Sequence, residues 1–136
     1  KVEDHEMQAE WFSLDEGTAA RLNQAKREGK KIIAVGTTTT RVLESCVVED
    51  DSLSPRDAKT NIFIYPPYKF RFVDHLLPNF HLPKSTLLML ASAFVSAPNT
   101  KDKFTSFKSS LIGKAYQQAI ERGYRFFSFG DAMLIV

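Results

Sequence analysis

The run KIIAVGTTTTRVLES, residues 31 to 45, constrains the fold more than any other part of the chain. Its first half is β-branched and apolar around Ile33 and ends at Gly36, which is typical of a short buried strand. The threonines that follow begin a segment whose apolar residues recur at helical spacing, Val42, Leu43, Cys46 and Val47. A buried strand that turns at a glycine into a helix is characteristic of α/β proteins.

The same order recurs on both sides of this run. MQAEWFSL predicts a strand, and LDEGTAARLNQAKREGKK predicts a helix that Asp15 caps and that ends at Gly29. STLLMLASAFV predicts another helix, with Ser85 or Thr86 as its cap. A clear amphipathic stripe predicts the last helix, Leu111, Ile112, Ala115, Tyr116, Ala119 and Ile120.

The remaining segments complete the expected architecture. Glu49–Thr60 is acidic, then polar, and predicts a surface loop; NIFIYPPYKFRFVDHLL predicts two extended segments hinged at Pro66 and Pro67. The final YRFFSFGDAMLIV predicts a strand. We therefore expect residues 1–136 to form a single α/β unit, a layered sheet flanked by helices, as part of a larger α/β domain.

Composition narrows the functional classes. A net charge of +2 gives no broad electrostatic attraction for nucleic acid, so any RNA contact must use a local patch. The single cysteine, Cys46, excludes an internal disulfide and a cysteine-based zinc cluster, and we expect it to be a buried thiol in a reducing compartment. The three histidines show no metal-ligand spacing. No apolar run reaches the roughly 20 residues of a membrane span.

VGTTTTR is the first candidate site. Gly36 permits a sharp turn, Thr37 and Thr38 offer hydroxyls, and the helix start offers free amides to an anion, with Arg41 as a fixed charge. Threonine at a helix start is equally common as a plain cap. Arg41 and Glu44 are spaced so that they can pair on one helix face.

NFHLPKST is the second candidate site. In an extended backbone Asn79 and His81 point to the same side, and prolines stiffen both ends of the segment. This arrangement favours a fixed polar pair at the edge of a site. The alternative is a loop histidine that bonds only to backbone, which is the more common case. Lys84 either meets a phosphate or is simply solvated.

Two further segments carry polar groups with two interpretations each. In DHEMQAEWF, Glu10 is a candidate acid or base, although an exposed charge is the more common outcome. In YRFFSFGDAML, Asp131 follows a glycine and three aromatics, and either caps a turn or binds a polar substrate edge. Tyr65 could stack on a base or face a cation.

In this order, VGTTTTRVLES, FIYP, NFHLPKSTLLML, YRFFSFGDAMLI and HEMQAEWF resemble blocks of the S-adenosylmethionine:tRNA ribosyltransferase-isomerase family of queuosine biosynthesis. The resemblance covers nearly the whole chain. It implies the C-terminal part of a longer enzyme, without the N-terminal portion and the inserted β-barrel domain. Gln8, Pro67 and Pro78 depart from the family pattern, which usually has His, Gly and Thr there.

The resemblance implies the following activity. Such enzymes transfer and isomerise the ribosyl group of S-adenosylmethionine, a co-substrate, onto 7-aminomethyl-7-deazaguanine at the wobble position of tRNA with a GUN anticodon. The product is epoxyqueuosine, and adenine and methionine leave. No metal, membrane or protein partner is implied, and the cytoplasm is the expected location.

Within these blocks, residue type and position lead to hypotheses about where the chemistry lies. Asn79 and His81 are expected at the reacting centre, with His81 as acid or base. Glu10 and Asp131 would bind or deprotonate substrate groups. The residues expected to bind substrate are Gly36, Thr37, Thr38, Arg41 and Tyr65. The alternative function is a tRNA-binding module without catalysis, and the basic residues expected to contact RNA in a salt-sensitive manner are Lys69, Arg71 and Lys84.

Overall fold

The computed structural model describes residues 7–82 and 85–136. These residues form a mixed α/β structure, as the sequence predicts. In chain order the elements are β1 (Glu10–Leu14), α1 (Glu16–Arg27), β2 (Ile33–Val35), α2 (Thr37–Cys46), β3 (Arg56–Thr60), β4 (His75–Leu77), α3 (Thr86–Phe94) and α4 (Leu111–Glu121).

Local capping groups start three of these helices. The Asp15 carboxylate accepts a hydrogen bond from the Thr18 amide at the start of α1, and the Ser85 hydroxyl accepts one from Leu88 at the start of α3. Ser110 caps α4 in the same way. Each cap satisfies an amide that has no partner within its helix. The predicted caps at Asp15 and Ser85 are therefore confirmed, as is Gly29, which follows α1 with a φ of 74°.

The described strands form two small sheets instead of one layered sheet. β1 pairs antiparallel with β3, and β2 pairs parallel with β4. Within β2 only Ala34 is buried, while Ile33 and Val35 are 52% and 63% exposed. The prediction of a buried strand is thus wrong for the face of β2 that carries Ile33 and Val35.

Two segment predictions also need correction. Residues 56–60, predicted as loop, form β3, because their backbone pairs with β1 although their side chains are mostly polar. Conversely, the C-terminal run predicted as a strand makes only isolated bridges, between Leu76 and Ile135 and between Asn79 and Ala132. Of the two extended segments predicted around the Pro66–Pro67 hinge, only the short β4 is a strand among the described residues.

An aromatic cluster in the core fixes the position of the second candidate site. The ring of Phe80, which is buried, lies 5.3 Å from that of Tyr116 on α4 and 5.4 Å from that of Phe126. Aromatic pairs at these separations are favourable beyond the area they bury. The cluster therefore ties the loop around residue 80 to α4 and to the C-terminal segment.

Cys46 is fully buried in the core, as predicted. Burial raises the pKa of its thiol, so the group remains protonated and unreactive near neutral pH. Among the described residues, none of the helices has the length and apolar character needed to cross a membrane.

Candidate active site

The Asn79–His81 loop is held against the C-terminal segment by hydrogen bonds from both sides. The Asn79 side-chain amide donates to the carbonyl of Phe127 at 3.2 Å, and the Phe127 amide donates to the carbonyl of Phe80 at 2.9 Å. The His81 amide donates to the Tyr116 hydroxyl at 2.9 Å. These bonds hold the loop backbone, and none of the three uses the imidazole of His81.

A cavity of about 410 Å³ lies beside this loop. It is lined by Asn79, His81, Leu82, Ser85, Leu87, Phe127 and Ser128. Its volume lies within the range of small-molecule sites. The cavity brings Asn79 and His81 together, as their alternation predicts.

His81 is partly buried at this cavity. Burial lowers the pKa of its imidazole, so the ring is neutral at pH 7. Its Nε2 atom is shielded from water and has no hydrogen-bond partner in the described part of the chain. A shielded nitrogen without a partner is costly, and a ligand that bonds to the ring would offset that cost.

Asp131 supports this site from outside the cavity. Its carboxylate accepts hydrogen bonds from the Arg125 amide at 2.8 Å and from the Arg125 guanidinium at 3.0 Å, and its carbonyl accepts from the Phe80 amide. The hydrogen bonds from Arg125 lower the pKa of Asp131. Asp131 thus stabilises the turn between Arg125 and Asp131. Its expected role toward substrate stays a prediction.

The strand-to-helix turn at Gly36 lies next to the same loop. Gly36 has a φ of 88°, which a residue with a side chain rarely adopts, and its amide donates to the Leu77 carbonyl at 3.0 Å. Thr37 is buried and Thr38 is exposed. The turn is therefore braced against the strand that leads into the Asn79–His81 loop, and its role in binding an anion stays a prediction.

Arg41 does not pair with Glu44, contrary to expectation. Its Nη1 atom instead bonds to the carboxylate of Glu10 at 3.0 Å, and its Nε atom donates to the carbonyl of Ile62. The Arg41 side chain is 5% exposed and that of Glu10 is 50% exposed. Because the two lie on different elements, 31 positions apart, helical spacing could not reveal the pair.

The second buried nitrogen of Arg41, Nη2, has no hydrogen-bond partner within residues 7–82 and 85–136. A buried guanidinium normally satisfies its five N–H groups. Arg41 thus holds Glu10 with one nitrogen while another remains available for a further acceptor. The pair is a second polar centre, distinct in charge from the cavity at His81.

Glu44 is a buried residue that the sequence reasoning placed wrongly. Its carboxylate accepts from the amides of Arg71, Phe72 and Val73 and from the hydroxyl of Tyr68. Burial and the neighbouring carboxylate raise the pKa of Tyr68. The signal that was available is an acid close to the apolar residues Leu43 and Cys46 of the helix, because a buried carboxylate requires donors from elsewhere.

The remaining candidates are more dispersed. The ring of Tyr65 lies 4.9 Å from that of Phe63. The Arg71 guanidinium bonds to the Asp51 carboxylate at 2.6 Å and to the carbonyl of Val48, while Lys69 is exposed. Lys84 lies outside the described residues. Contact of these basic residues with RNA stays a prediction.

Phe127 is one of the cavity residues that sequence reasoning missed. Alternation along YRFFSFG predicted a regular strand, but Phe127 has a φ of 73° and its side chain is 58% exposed. A bulky residue in this conformation is a genuine outlier. Within the described residues, no group of three or more His, Cys, Asp or Glu side chains comes together as a metal site.

Comparison with known proteins decides the family. The model of a family described as queuosine biosynthesis protein matches residues 1–135. The chain belongs to this family. It is 54% identical, over 98% of its length, to an S-adenosylmethionine:tRNA ribosyltransferase-isomerase of Natranaerobius thermophilus, and 51% identical, over 99% of its length, to that of Halothermothrix orenii.

The chain spans about a third of the length of these relatives, 36% in both cases. A crystal structure of S-adenosylmethionine tRNA ribosyltransferase from Thermotoga maritima is 43% identical and superposes with a TM-score of 0.76. That match covers 93% of this chain and 40% of the other. The expected family and the mixed α/β class, as part of a larger α/β domain, are thereby confirmed.

Proposed function

We propose that this chain is the C-terminal part of an enzyme that modifies tRNA in queuosine biosynthesis. The enzyme transfers and isomerises the ribosyl group of S-adenosylmethionine onto 7-aminomethyl-7-deazaguanine at the wobble position of tRNA with a GUN anticodon. Epoxyqueuosine forms, and adenine and methionine leave. The observation that carries the proposal is the 54% identity, along 98% of the chain, to a relative named for this activity. The proposed location is the cytoplasm.

The reaction sets requirements that the site can meet. The sulfonium of S-adenosylmethionine acidifies the adjacent 5′ carbon, so a base must remove a proton there. A second group must assist the departure of adenine. Polar donors must anchor the methionine carboxylate and the ribose. All of these are tasks for side chains, and S-adenosylmethionine itself supplies the leaving groups.

Asn79 and His81 are the proposed residues at the reacting centre. The neutral ring of His81 can accept a proton or donate a hydrogen bond, and the Asn79 side chain is held by the Phe127 carbonyl in the same cavity. Glu10, half exposed and oriented by buried Arg41, is the proposed second acid–base group. Asp131 braces the loop that carries Phe127.

The substrate-binding part of the proposal rests on the turn at Gly36 and on Arg41. Thr38 is exposed next to the start of α2, where free amides favour an anionic group such as a carboxylate. The buried Nη2 of Arg41 has no partner in the described part of the chain and can bind a further acceptor. Tyr65 adds an aromatic face.

The test measures adenine release from S-adenosylmethionine in the presence of precursor tRNA. The chain is assayed alone and together with the remaining part of the Natranaerobius thermophilus relative, supplied as a separate polypeptide. We expect turnover only in the combined sample, because the chain spans a third of that relative. Robust turnover by the chain alone would contradict the proposed division of the site.

Substitution of His81 separates catalysis from RNA binding. In the combined sample, His81→Ala should abolish adenine release while tRNA binding survives, and the exposed Phe129→Ala should leave both unchanged. If His81→Ala leaves adenine release intact, the proposed reacting centre is wrong. Salt-sensitive tRNA binding with no adenine release in any combination would instead support the binding-module function.

A further inference from the structure

The cavity beside His81 is lined by side chains without formal charge among the described residues. Asn79, two serines, two leucines and Phe127 surround a histidine that burial keeps neutral. Against the described lining, a charged group placed here would lose hydration without gaining a countercharge, which is unfavourable. The lining residues, which lie within 79–82, 85–87 and 127–128, therefore disfavour the carboxylate, the ammonium and the sulfonium of S-adenosylmethionine, and favour an uncharged ligand.

Phe127 gives this cavity an aromatic wall at its edge. Two backbone hydrogen bonds and one from a side chain hold the residue in the left-handed region: its amide donates to the Phe80 carbonyl, and its carbonyl accepts from the Gly130 amide and the Asn79 side chain. In this conformation the residue as a whole is 58% exposed. Strain of this kind concentrates at functional sites, and an exposed ring beside a cavity offers a face on which a planar base can stack.

The polar groups of the cavity suit the edge of a heteroaromatic base. The Asn79 amide nitrogen is occupied by the Phe127 carbonyl, so its oxygen remains an acceptor for an amino group. The neutral imidazole of His81, whose Nε2 has no partner within residues 7–82 and 85–136, carries one N–H donor and one acceptor. The Ser128 hydroxyl provides a further donor or acceptor.

We propose that this cavity binds the uncharged purine of the co-substrate, with the base stacked on Phe127 and its polar edge bonded to Asn79 and His81. The inference rests on the proposed function, and it assigns His81 to the departing adenine. The His81 N–H then donates a hydrogen bond to a purine nitrogen as the glycosidic bond breaks and the base leaves with its electron pair. The electron pair freed by deprotonation of the 5′ carbon replaces it in the ribosyl group, and the proton removed there completes neutral adenine. Glu10 is left as the acid–base group for the ribosyl carbon.

The experiment measures binding to the chain itself by ligand-observed saturation-transfer NMR. Adenosine, an uncharged nucleoside, is compared with methionine, the charged portion of the co-substrate. We expect transfer to the purine protons of adenosine and none to methionine. Phe127→Ala and Phe127→Leu should each weaken adenosine binding at least about fivefold, because both remove the stacking face.

Further variants test whether adenosine binding depends on the cavity residues. Phe129→Ala, at a 97% exposed ring that does not line the cavity, should bind adenosine like the parent chain. His81→Leu should also weaken adenosine binding, because leucine has a similar side-chain volume but no hydrogen-bonding group. Thermal unfolding of each variant verifies that it is folded. Undetectable adenosine binding by the parent chain, equal binding by Phe127→Ala, or preferential binding of methionine would overturn the proposal.

The outcome is separable from that of the proposed function. Adenosine binding that depends on Phe127, without adenine release in the combined sample, would sustain the purine site and refute the ribosyl transfer. Adenine release that requires His81, in a chain that does not bind adenosine, would refute the purine site and sustain the enzyme.

Discussion

Glu44 and His81 both bury polar atoms, yet their hydrogen bonds are completed to very different extents. Both oxygens of Glu44 accept bonds, from three consecutive backbone amides and from Tyr68. The Nε2 atom of His81 has no partner in the described chain, and the ring lies at a cavity. A carboxylate with all its hydrogen bonds made, like Glu44, is typical of a group that holds the fold, whereas the unpaired nitrogen of His81 beside a cavity supports the proposal that it binds a ligand.

The largest expected effect comes from weakening the hydrogen bonds to the Glu44 carboxylate. Glu44→Gln replaces two accepting oxygens with one oxygen and an NH₂ group that faces backbone amides. We expect the free energy of unfolding to fall by about 3 kcal/mol, since hydrogen bonds to charged groups are lost and buried amides lose their acceptor. Urea denaturation measures this. The exposed Glu49→Gln is the control, and equal stabilities of the two variants would break the comparison.

A smaller loss is expected at Asp74, a second carboxylate that belongs to the fold. It accepts bonds from the Ile32 amide and from Lys26, each at 2.9 Å. Asp74→Asn should lower the free energy of unfolding by about 1–2 kcal/mol at neutral pH, with the exposed Asp57→Asn as control.

The pH dependence of the Asp74 variant follows from its titration. Partial burial raises the pKa of Asp74, but the hydrogen bonds from Ile32 and Lys26 outweigh it, so the net pKa is lowered. Its stabilisation is therefore present above the unfolded pKa, about 4, and is lost as the pH falls through the folded value. Asp74→Asn should reduce the loss of unfolding free energy on the acid side of the pH curve. An unchanged curve would show that Asp74 does not stabilise the fold.

Phe127 should respond with the opposite sign. Phe127→Gly relieves a left-handed conformation in a side chain that is largely exposed, so the free energy of unfolding should rise by about 0.5–1 kcal/mol. Adenosine binding should weaken in the same variant. Thermal unfolding and the NMR assay measure both quantities, with Phe129→Gly as control. A variant that loses stability would show that Phe127 belongs to the packing and not to the site.

The smallest effect concerns the protonation of His81. Because burial lowers its pKa in the folded state, stability is fully present above the unfolded value of about 6.5 and declines as the pH falls toward the folded value. An NMR titration of the imidazole should give a midpoint below that of an unperturbed histidine. His81→Gln should remove this part of the pH dependence. A midpoint at or above the unperturbed value would contradict the claim that burial keeps the His81 imidazole neutral.

Local sequence signals predicted the helices well and the strands less well. Asp15 and Ser85 were found because a cap acts on an amide only three positions away. The strand at residues 56–60 was missed because its residues are polar and its order comes from pairing with β1, more than 40 positions earlier. The exposure of Ile33 and Val35 likewise depends on what packs against β2, which periodicity does not report.

The sequence by itself determined the mixed α/β class, the buried thiol, the family and the pairing of Asn79 with His81 on one side of their loop, because each depends on composition or on spacing of a few residues. Only the tertiary structure decided that Arg41 holds Glu10, that Glu44 gathers the amides of residues 71–73, and that Phe127 turns outward at the cavity. These contacts join positions 27 to 48 residues apart, and the hydrogen bonds and packing that select them exist only after the chain has folded.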